Sequence, residues 1–99
     1  MTGAFEWDDE KYESNLAKHG VDFLRITAIF DGPVIETVDN RRDYGEARVR
    51  CLGGLNGRIY FVAYTWRGES RRLISARKAN AREQRAYHAH HRGRGTPTA

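Results

Sequence analysis

The sequence has little of what marks an exported or membrane-bound protein. It contains one cysteine, Cys51, which excludes an internal disulfide. No apolar run approaches the roughly 20 residues that a membrane-spanning helix needs. The first residues, Met1 to Ala4, lead into an acidic segment, whereas a signal peptide begins with a basic and then an apolar one. These absences predict a cytoplasmic protein without membrane contacts, with Cys51 as a small buried side chain of a strand.

Metal ligands are also scarce. Two histidines near the C-terminus, His88 and His91, have helical spacing, but no cysteine or carboxylate stands near them in the tail. Solvated histidines are therefore favoured over a metal site, and the sequence predicts no cofactor.

Acidic residues become rare in the last third of the chain. The whole sequence has 17 Lys or Arg and 13 Asp or Glu, a formal net charge of +4. From Arg67 to Ala99, nine basic residues stand against Glu69 and Glu83 alone. A basic, well-solvated surface is one explanation, but the uneven distribution favours an anionic partner, either nucleic acid or an acidic protein.

The length and the hydrophobic periodicity predict one α+β domain with a thin core. We expect this domain over residues 1–91 and a disordered basic tail over residues 92–99. The first predicted elements are a short strand, two helices and an edge strand, at Ala4 to Trp7, Asp8 to His19, Phe23 to Phe30 and Val34 to Val38. A polar loop from Asp39 to Gly45 follows.

An antiparallel meander and a last helix complete the predicted fold. Asn56-Gly57 is a strong hairpin signal, and a second tight turn is expected at Arg67-Gly68, where Trp66 would pair with Glu69. The three strands of the meander are Ala47 to Leu55, Arg58 to Trp66 and Glu69 to Arg77. The last helix begins with a capping-box pattern, Asn80-Ala81-Arg82-Glu83, and ends near His88.

The two turns fix the register of the meander, and the register fixes its faces. The first turn places Arg50 opposite Ala63, and the second places Arg72 opposite the same residue. One face then carries the predicted core, on which the N-terminal helices pack: Val49, Cys51, Tyr60, Val62, Tyr64 and Leu73. The other carries Arg48, Arg50 and Arg72, with Leu52, Ile59, Phe61 and Ile74 at its far end. Like charges in a row on one sheet face are destabilising unless an anion offsets them.

Five short motifs occur in order between residues 5 and 87. They are Phe5-Glu6-Trp7-Asp8, Asn15-Leu16-Ala17-Lys18-His19-Gly20-Val21, Phe30-Asp31-Gly32-Pro33, Gly45-Glu46-Ala47-Arg48 and Ile74-Ser75-Ala76-Arg77-Lys78-Ala79, followed by Glu83 and Tyr87. Together they resemble the BrnT family of bacterial toxins. The resemblance implies a RelE-like fold, with two N-terminal helices on one face of a small antiparallel sheet and a C-terminal helix.

The resemblance also implies a function. We expect an endoribonuclease that cleaves mRNA, free or on the ribosome, and so inhibits translation. A BrnA-like ribbon-helix-helix antitoxin would hold it inactive in a heterotetramer of two toxins and two antitoxins. This complex would repress its own operon, with the antitoxin alone contacting operator DNA.

The candidate site residues follow from the chemistry of a metal-independent ribonuclease. Such an enzyme activates the ribose 2′-OH, stabilises a pentacovalent phosphate with fixed cations and protonates the 5′ oxygen. The candidate catalytic residues are Arg48, Arg72, Arg77, Lys78 and His19. The candidate substrate-binding residues are Arg50, Lys18, Tyr64, Trp66 and Tyr87, of which Trp66 or Tyr64 could stack on an unpaired base. Because arginine is seldom a base, proton transfer would fall to His19, Lys18, Lys78, Tyr64 or Tyr87.

Each assignment has a structural alternative. For single residues these are a helix cap (His19), helix packing (Tyr87), an ion pair with Glu69 or Glu83 (Arg72) and neutralisation of the antitoxin or a nearby carboxylate (Arg77 and Lys78). For the whole protein they are a non-enzymatic basic module that binds RNA or an acidic protein, and a degenerate toxin kept for antitoxin binding and repression.

Overall fold

The structure, a computed structural model, describes residues 4–39 and 46–93, and these form an α+β fold. The strands are β1 Ala4–Glu6, β2 Val34–Asp39, β3 Arg48–Leu55, β4 Arg58–Arg67 and β5 Ser70–Lys78. The helices are α1 Asp9–His19, α2 Phe23–Ile26 and α3 Ala81–Gly93, with a 3₁₀ helix, Thr27–Asp31, directly after α2. The second predicted helix is therefore one α-helical turn that continues as 3₁₀. The predicted loop at 40–45 and the tail from residue 94 lie outside the described residues.

Local chemistry sets the start of the first two helices and the end of α1. Asp8 accepts a hydrogen bond from the backbone N–H of Glu10 at 2.8 Å, which caps α1. Gly20 ends that helix with a φ of 69°, a conformation that favours glycine. Asp22 caps α2 in the same way as Asp8 caps α1.

The sheet is mixed, so the prediction of an all-antiparallel sheet is wrong at one edge. The strand order is β1-β5-β4-β3-β2, in which β1 runs parallel to β5 and the other neighbours are antiparallel. Most of the chain separates β1 from β5, and a connection of that length permits a parallel pair. A strand of three residues carries no sequence signal for its partner or its direction.

The hairpin between β3 and β4 has the predicted register. Leu55 pairs with Arg58, and Arg50 lies opposite Ala63. The turn between them has positive φ angles at both loop residues, 53° and 79°, as the Asn-Gly sequence predicts.

The hairpin between β4 and β5 has a different register from the predicted one. Its loop is Gly68-Glu69, and Arg67 pairs with Ser70, so the predicted closing pair of Trp66 with Glu69 is wrong. Gly68 has a φ of 62° at the first loop position, where a type II′ turn requires a glycine. The requirement for a positive φ at the first loop position thus moves the turn by one residue.

A bulge in β5 decides which of its side chains share a face. Leu73 pairs with Tyr64 and Ser75 pairs with Ala63, so Ile74 has no residue opposite it. Ile74 lies beside α1, and not with Leu52 and Phe61 as predicted. Beyond the bulge, the alternation of side chains along β5 is inverted.

The inversion places Arg72 and Arg77 on the same side of the sheet, although an odd number of positions separates them. Arg72 lies opposite Thr65, and not opposite Ala63 as predicted, while Arg77 lies opposite Phe61. Arg71 points to the other side, where its guanidinium lies 4.7 Å from a ring centroid of Trp66.

The main core lies between the sheet and the N-terminal helices. Its largest fully buried side chains are Phe23, Ile26, Ile29, Cys51, Val62, Tyr64 and Leu73. We call this side of the sheet the core face. Gly53 allows the 3₁₀ helix to approach β3, because a Cβ there would lie 2.9 Å from the Cβ of Ile29.

Helix α3 packs on the other side of the sheet. Tyr87 forms a second small cluster with Ile59 and Ala79, against which Ile35 and Leu52 are partly buried. The Tyr87 hydroxyl donates a hydrogen bond to the carbonyl oxygen of Pro33 at 3.0 Å. This is the packing role that the sequence left open for Tyr87.

The capping box of α3 is confirmed. The Glu83 N–H donates to Asn80 Oδ1 at 2.8 Å, and the Asn80 N–H donates to Glu83 Oε1 at 2.9 Å. The helix runs to Gly93, past its predicted end near His88, and includes the first two residues of the predicted tail. No helix in the described part of the chain is long and apolar enough to cross a membrane.

Candidate functional site

Four arginines share the side of the sheet opposite the core face, which we call the arginine face. Arg48 and Arg50 come from β3, and Arg72 and Arg77 come from β5. Between them, β4 contributes the floor of the site, which consists of Phe61, Ala63 and Thr65. The alternation along β3 and the bulge in β5 together concentrate these charges on one surface.

Arg50 carries a buried hydrogen-bond donor that has no acceptor among the described residues. Its Nε is buried, and no described residue accepts a hydrogen bond from it. The guanidinium lies 5.6 Å from the ring centroid of Phe61. A buried donor without an acceptor costs about 1–3 kcal/mol, and an oxygen of a bound phosphate would supply the missing acceptor.

Arg77 is held by a carboxylate and an aromatic ring. Its Nη1 and Nη2 donate to Glu83 Oε1 and Oε2 at 2.8 and 2.9 Å, a bidentate pair. Its guanidinium lies 4.2 Å from the centroid of Phe61. The hydrogen bond from Arg77 lowers the pKa of Glu83, against the opposing effect of burial, and the nearby charge of Arg50 lowers it further. Glu83 is therefore ionised at neutral pH.

The other two arginines have carboxylates at the rim. Arg72 Nη1 lies 3.1 Å from Glu6 Oε2, on the strand that the sequence could not place. Its partner is therefore Glu6, and not Glu69 or Glu83 as in the alternative drawn from the sequence. Arg48 Nε lies 3.6 Å from Glu46 Oε2. Both pairs are partly exposed, so each contributes little to stability.

A cleft of about 610 Å³ lies between the arginine face and α3. Its apolar lining consists of Ile35, Leu52, Phe61 and Ala86, and its polar lining consists of Thr37, Arg50, Asn80, Arg82, Glu83 and His90. An apolar concave surface with a few convergent polar groups is the usual form of a ligand site. Arg50 belongs both to this cleft and to the row of arginines, so the two surfaces are continuous.

Three of the predicted site residues do not lie on the arginine face. Lys78 pairs with Tyr60 and lines a small groove with α2, because the bulge sends it to the core face. Tyr64 is 1% exposed, and its hydroxyl donates to Glu36 Oε2, so its ring cannot stack on a base in this arrangement. Trp66 is half exposed but lies on the core face, against Tyr64 and Arg71.

Two further predicted residues lie at the edge of the sheet. Lys18 and His19 are exposed and line a groove of about 340 Å³ between α1 and β5. This groove includes Ser75, which lies opposite Ala63 on the arginine face. Lys18 and His19 thus flank the candidate site at a corner and do not line the cleft.

The structure adds three residues to the site that sequence reasoning did not assign to it. Phe61 was expected as an apolar side chain at the far end of the face, Glu83 as half of a capping box, and His90 lay beyond the predicted end of the last helix. The signal available for Glu83 was its spacing of six positions from Arg77, which is informative only once the corner between β5 and α3 is known. No three His, Cys, Asp or Glu side chains within residues 4–39 and 46–93 are grouped so that they could hold a metal ion.

Comparisons with known proteins agree on one class. The model of a family described as the ribonuclease toxin BrnT of type II toxin-antitoxin systems matches residues 7–83. A crystal structure of the Brucella abortus ribonuclease toxin BrnT is 30% identical in sequence, with a TM-score of 0.61 over 80% of this chain and 99% of that chain. No curated protein sequence matches. The fold and the matches define a toxin of a type II toxin-antitoxin system, from a family described as ribonucleases. The chain belongs to the BrnT family.

Proposed function

We propose that this protein is a metal-independent endoribonuclease that cleaves mRNA in the cytoplasm and thereby inhibits translation. The observation that carries the proposal is the arginine face, where four arginines surround a floor of small and aromatic side chains beside a cleft. Membership of a family described as ribonucleases supports the same chemistry. The fold is proposed to be RelE-like, with the domain ending near residue 91.

The arginine face suits the charge that develops during RNA cleavage. Attack of the ribose 2′ oxygen on the adjacent phosphorus produces a pentacovalent phosphate with two negative charges, and the bond to the 5′ oxygen then breaks. Fixed guanidinium groups stabilise that charge without reorganising. Arg50 and Arg77 reach the floor at Phe61, and Arg48 and Arg72 extend the row. We propose that these four arginines contact the phosphate. Lys18 would contact the RNA backbone where the RNA leaves the sheet beside Ser75.

Proton transfer has two histidine candidates in this arrangement. His19, one of five candidates from the sequence, lies in the groove at the edge of the sheet, whereas His90 lines the cleft itself. A histidine side chain can accept a proton as the neutral imidazole and return it as the imidazolium. We favour His90 because it shares the cleft with Arg50 and the Arg77–Glu83 pair.

The direct test is cleavage of mRNA by the purified protein in the presence of EDTA. We expect cleavage that EDTA does not reduce, and a loss of about 100-fold for Arg50→Ala, since a fixed donor to a developing oxyanion is worth 10²–10³ in rate. Arg25→Ala is the matched control, because Arg25 is an exposed arginine of α2 on the other side of the sheet. If the protein binds RNA with a strong salt dependence but never cuts it, the non-enzymatic alternative is correct.

We further propose that a BrnA-like ribbon-helix-helix antitoxin neutralises the toxin and that the two repress their operon together. Membership of a type II toxin-antitoxin family supports an antitoxin partner. Co-expression with the neighbouring reading frame should give a complex of two toxins and two antitoxins by light scattering. That complex should bind operator DNA, whereas the toxin alone should not. DNA binding by the isolated toxin would contradict the proposal that only the antitoxin contacts operator DNA.

A further inference from the structure

We propose that Glu83 is a positioning residue that fixes the guanidinium of Arg77 against Phe61, so that one edge of Arg77 remains available for the substrate phosphate. The inference rests on the proposed ribonuclease function and assigns Glu83 a task in it. Glu83 itself would not touch the RNA.

The hydrogen bonds of Arg77 leave one edge of its guanidinium unused. Nη1 and Nη2 together hold the two carboxylate oxygens of Glu83, and Nη1 also lies 3.3 Å from the Lys78 carbonyl oxygen. No described residue accepts from Nε. Nε and the second hydrogen of Nη2 form a parallel pair of donors, which matches two oxygens of a phosphate. Arg77 can therefore bind a carboxylate and a phosphate at the same time, on different edges.

The carboxylate that orients Arg77 is itself fixed. Glu83 Oε1 also accepts the backbone N–H of Asn80, and its side chain is 13% exposed. Since Glu83 is in the first turn of α3 and Arg77 near the end of β5, the pair ties the helix to the strand that carries the site. The ring of Phe61, the residue opposite Arg77, supports the guanidinium at 4.2 Å.

A saturated carboxylate is poorly suited to be the general base. Three donors already engage Glu83, two from Arg77 and one from Asn80. To accept the proton of the 2′-OH, the Glu83 carboxylate would have to break at least one of its two hydrogen bonds with Arg77. Orientation of Arg77 is therefore the task that the geometry supports.

The test compares Glu83→Gln, Arg77→Ala and the double variant in single-turnover cleavage at saturating protein. Glutamine keeps an oxygen for the Asn80 N–H, so the helix cap survives, but its amide NH₂ cannot accept from Arg77. We expect Glu83→Gln to slow cleavage roughly 10- to 100-fold, the range that a misplaced catalytic group costs. The double variant should be no slower than Arg77→Ala alone, because Glu83 acts only through Arg77. Glu13→Gln, at an exposed site of α1, controls for the change of charge.

Two further measurements separate positioning from other roles. Affinity for a 2′-O-methyl RNA, which cannot be cleaved, should change less than about 3-fold in Glu83→Gln, because the loss lies in the transition state. The pH dependence of the cleavage rate should keep its shape. Nitrogen-15 NMR should show slow rotation of the Arg77 Nε–Cζ bond in the unchanged protein and faster rotation in Glu83→Gln.

The outcomes are distinct. If the unchanged protein leaves RNA intact, the proposed function fails and the inference falls with it. If it cleaves RNA and Glu83→Gln cleaves equally fast, only the inference is overturned. The inference is also overturned if the losses of the two single variants multiply in the double variant. The same holds if Glu83→Gln abolishes the acidic limb of the pH profile. Either result would identify Glu83 as a group that acts on the substrate directly.

Discussion

Arg50 places an unsatisfied buried donor where an anionic substrate would bind. Replacing Arg50 by methionine removes the orphan Nε but keeps a long side chain that can pack against Phe61. We expect Arg50→Met to raise the free energy of unfolding by about 0.5–1 kcal/mol, since removing an unpaired buried polar group is neutral or stabilising. The same variant should lose cleavage almost completely. Urea unfolding and RNA cleavage measured on one preparation check both, and a destabilised variant would show that Arg50 is structural.

Single substitutions can also show whether His90 or His19 transfers the proton. His90→Gln should slow cleavage about 100-fold, as expected when a general acid or base is lost. His19→Gln should change the rate less than about 3-fold, because His19 lies in the groove beside Ser75 and not in the cleft. A reversed result would favour His19, one of the candidates for proton transfer from the sequence. Rates measured from pH 5 to 9 decide between the two.

At the scale of elements, Asn15 completes the edge of β5 where β1 ends. β1 pairs with β5 only as far as Arg72. Farther along, the Asn15 side chain accepts the Ala76 N–H at 3.0 Å and donates to the Ala76 carbonyl at 2.9 Å, as a neighbouring strand would. It also donates to the Val21 carbonyl at 3.0 Å, and it is 5% exposed. One amide thus anchors the strand segment that carries Arg77.

Asn15→Ala should therefore affect both stability and activity. The substitution leaves the buried N–H and C=O of Ala76 without hydrogen-bond partners. We expect a loss of about 3 kcal/mol in the free energy of unfolding, given roughly 1–3 kcal/mol for each buried group left unpaired. Cleavage below the unfolding transition should also slow, because Arg77 follows Ala76 directly. Ser14→Ala, an exposed neighbour in α1, is the control in urea unfolding. Equal stability of the two variants would contradict the anchoring role.

The bulge at Ile74 is the structural feature that could not be predicted from the sequence. The turn residues and the alternation along β3 and β4 are local signals, and they predicted the pairing of Arg50 with Ala63. A bulge depends on how β5 is held by its neighbours on both sides, including the Asn15 contact with Ala76. Without the bulge, Arg72 and Arg77 would point to opposite faces, and Lys78 would be the basic residue beside the cleft. The position of Lys78 on the core face has this cause.

At the scale of the whole molecule, the buried core sets the alkaline limit of stability. Burial and the hydrogen bond to Glu36 raise the pKa of Tyr64 to about 12, and burial raises the pKa of Cys51 to about 12. Because both values lie above those of the unfolded chain, the associated stability is present at neutral pH and is lost as the pH rises from about 9 towards 12. Each pKa unit corresponds to about 1.4 kcal/mol.

We expect the free energy of unfolding to fall steeply between pH 9 and pH 12 in urea titrations. Tyr64→Phe should remove the part of that fall between pH 10 and pH 12, although it also loses the hydrogen bond to Glu36 and so begins from a lower stability. Tyr60→Phe is the control, since Tyr60 is only partly buried. If both variants follow the same curve as the unchanged protein, ionisation of Tyr64 does not limit stability at high pH.

The sequence by itself determined the elements, the core and one half of the site. Caps, glycines and the Asn-Gly turn are local, and alternation along β3 put Arg48 and Arg50 on the face away from the core. Only the tertiary structure decided the other half, by adding β1 in parallel at the edge and by the bulge that brings Arg77 beside Phe61. It also set the ion pairs of Arg72 with Glu6 and Arg77 with Glu83. These depend on contacts between residues distant in the chain or on a local break in the alternation, and neither leaves a periodic signal in the sequence.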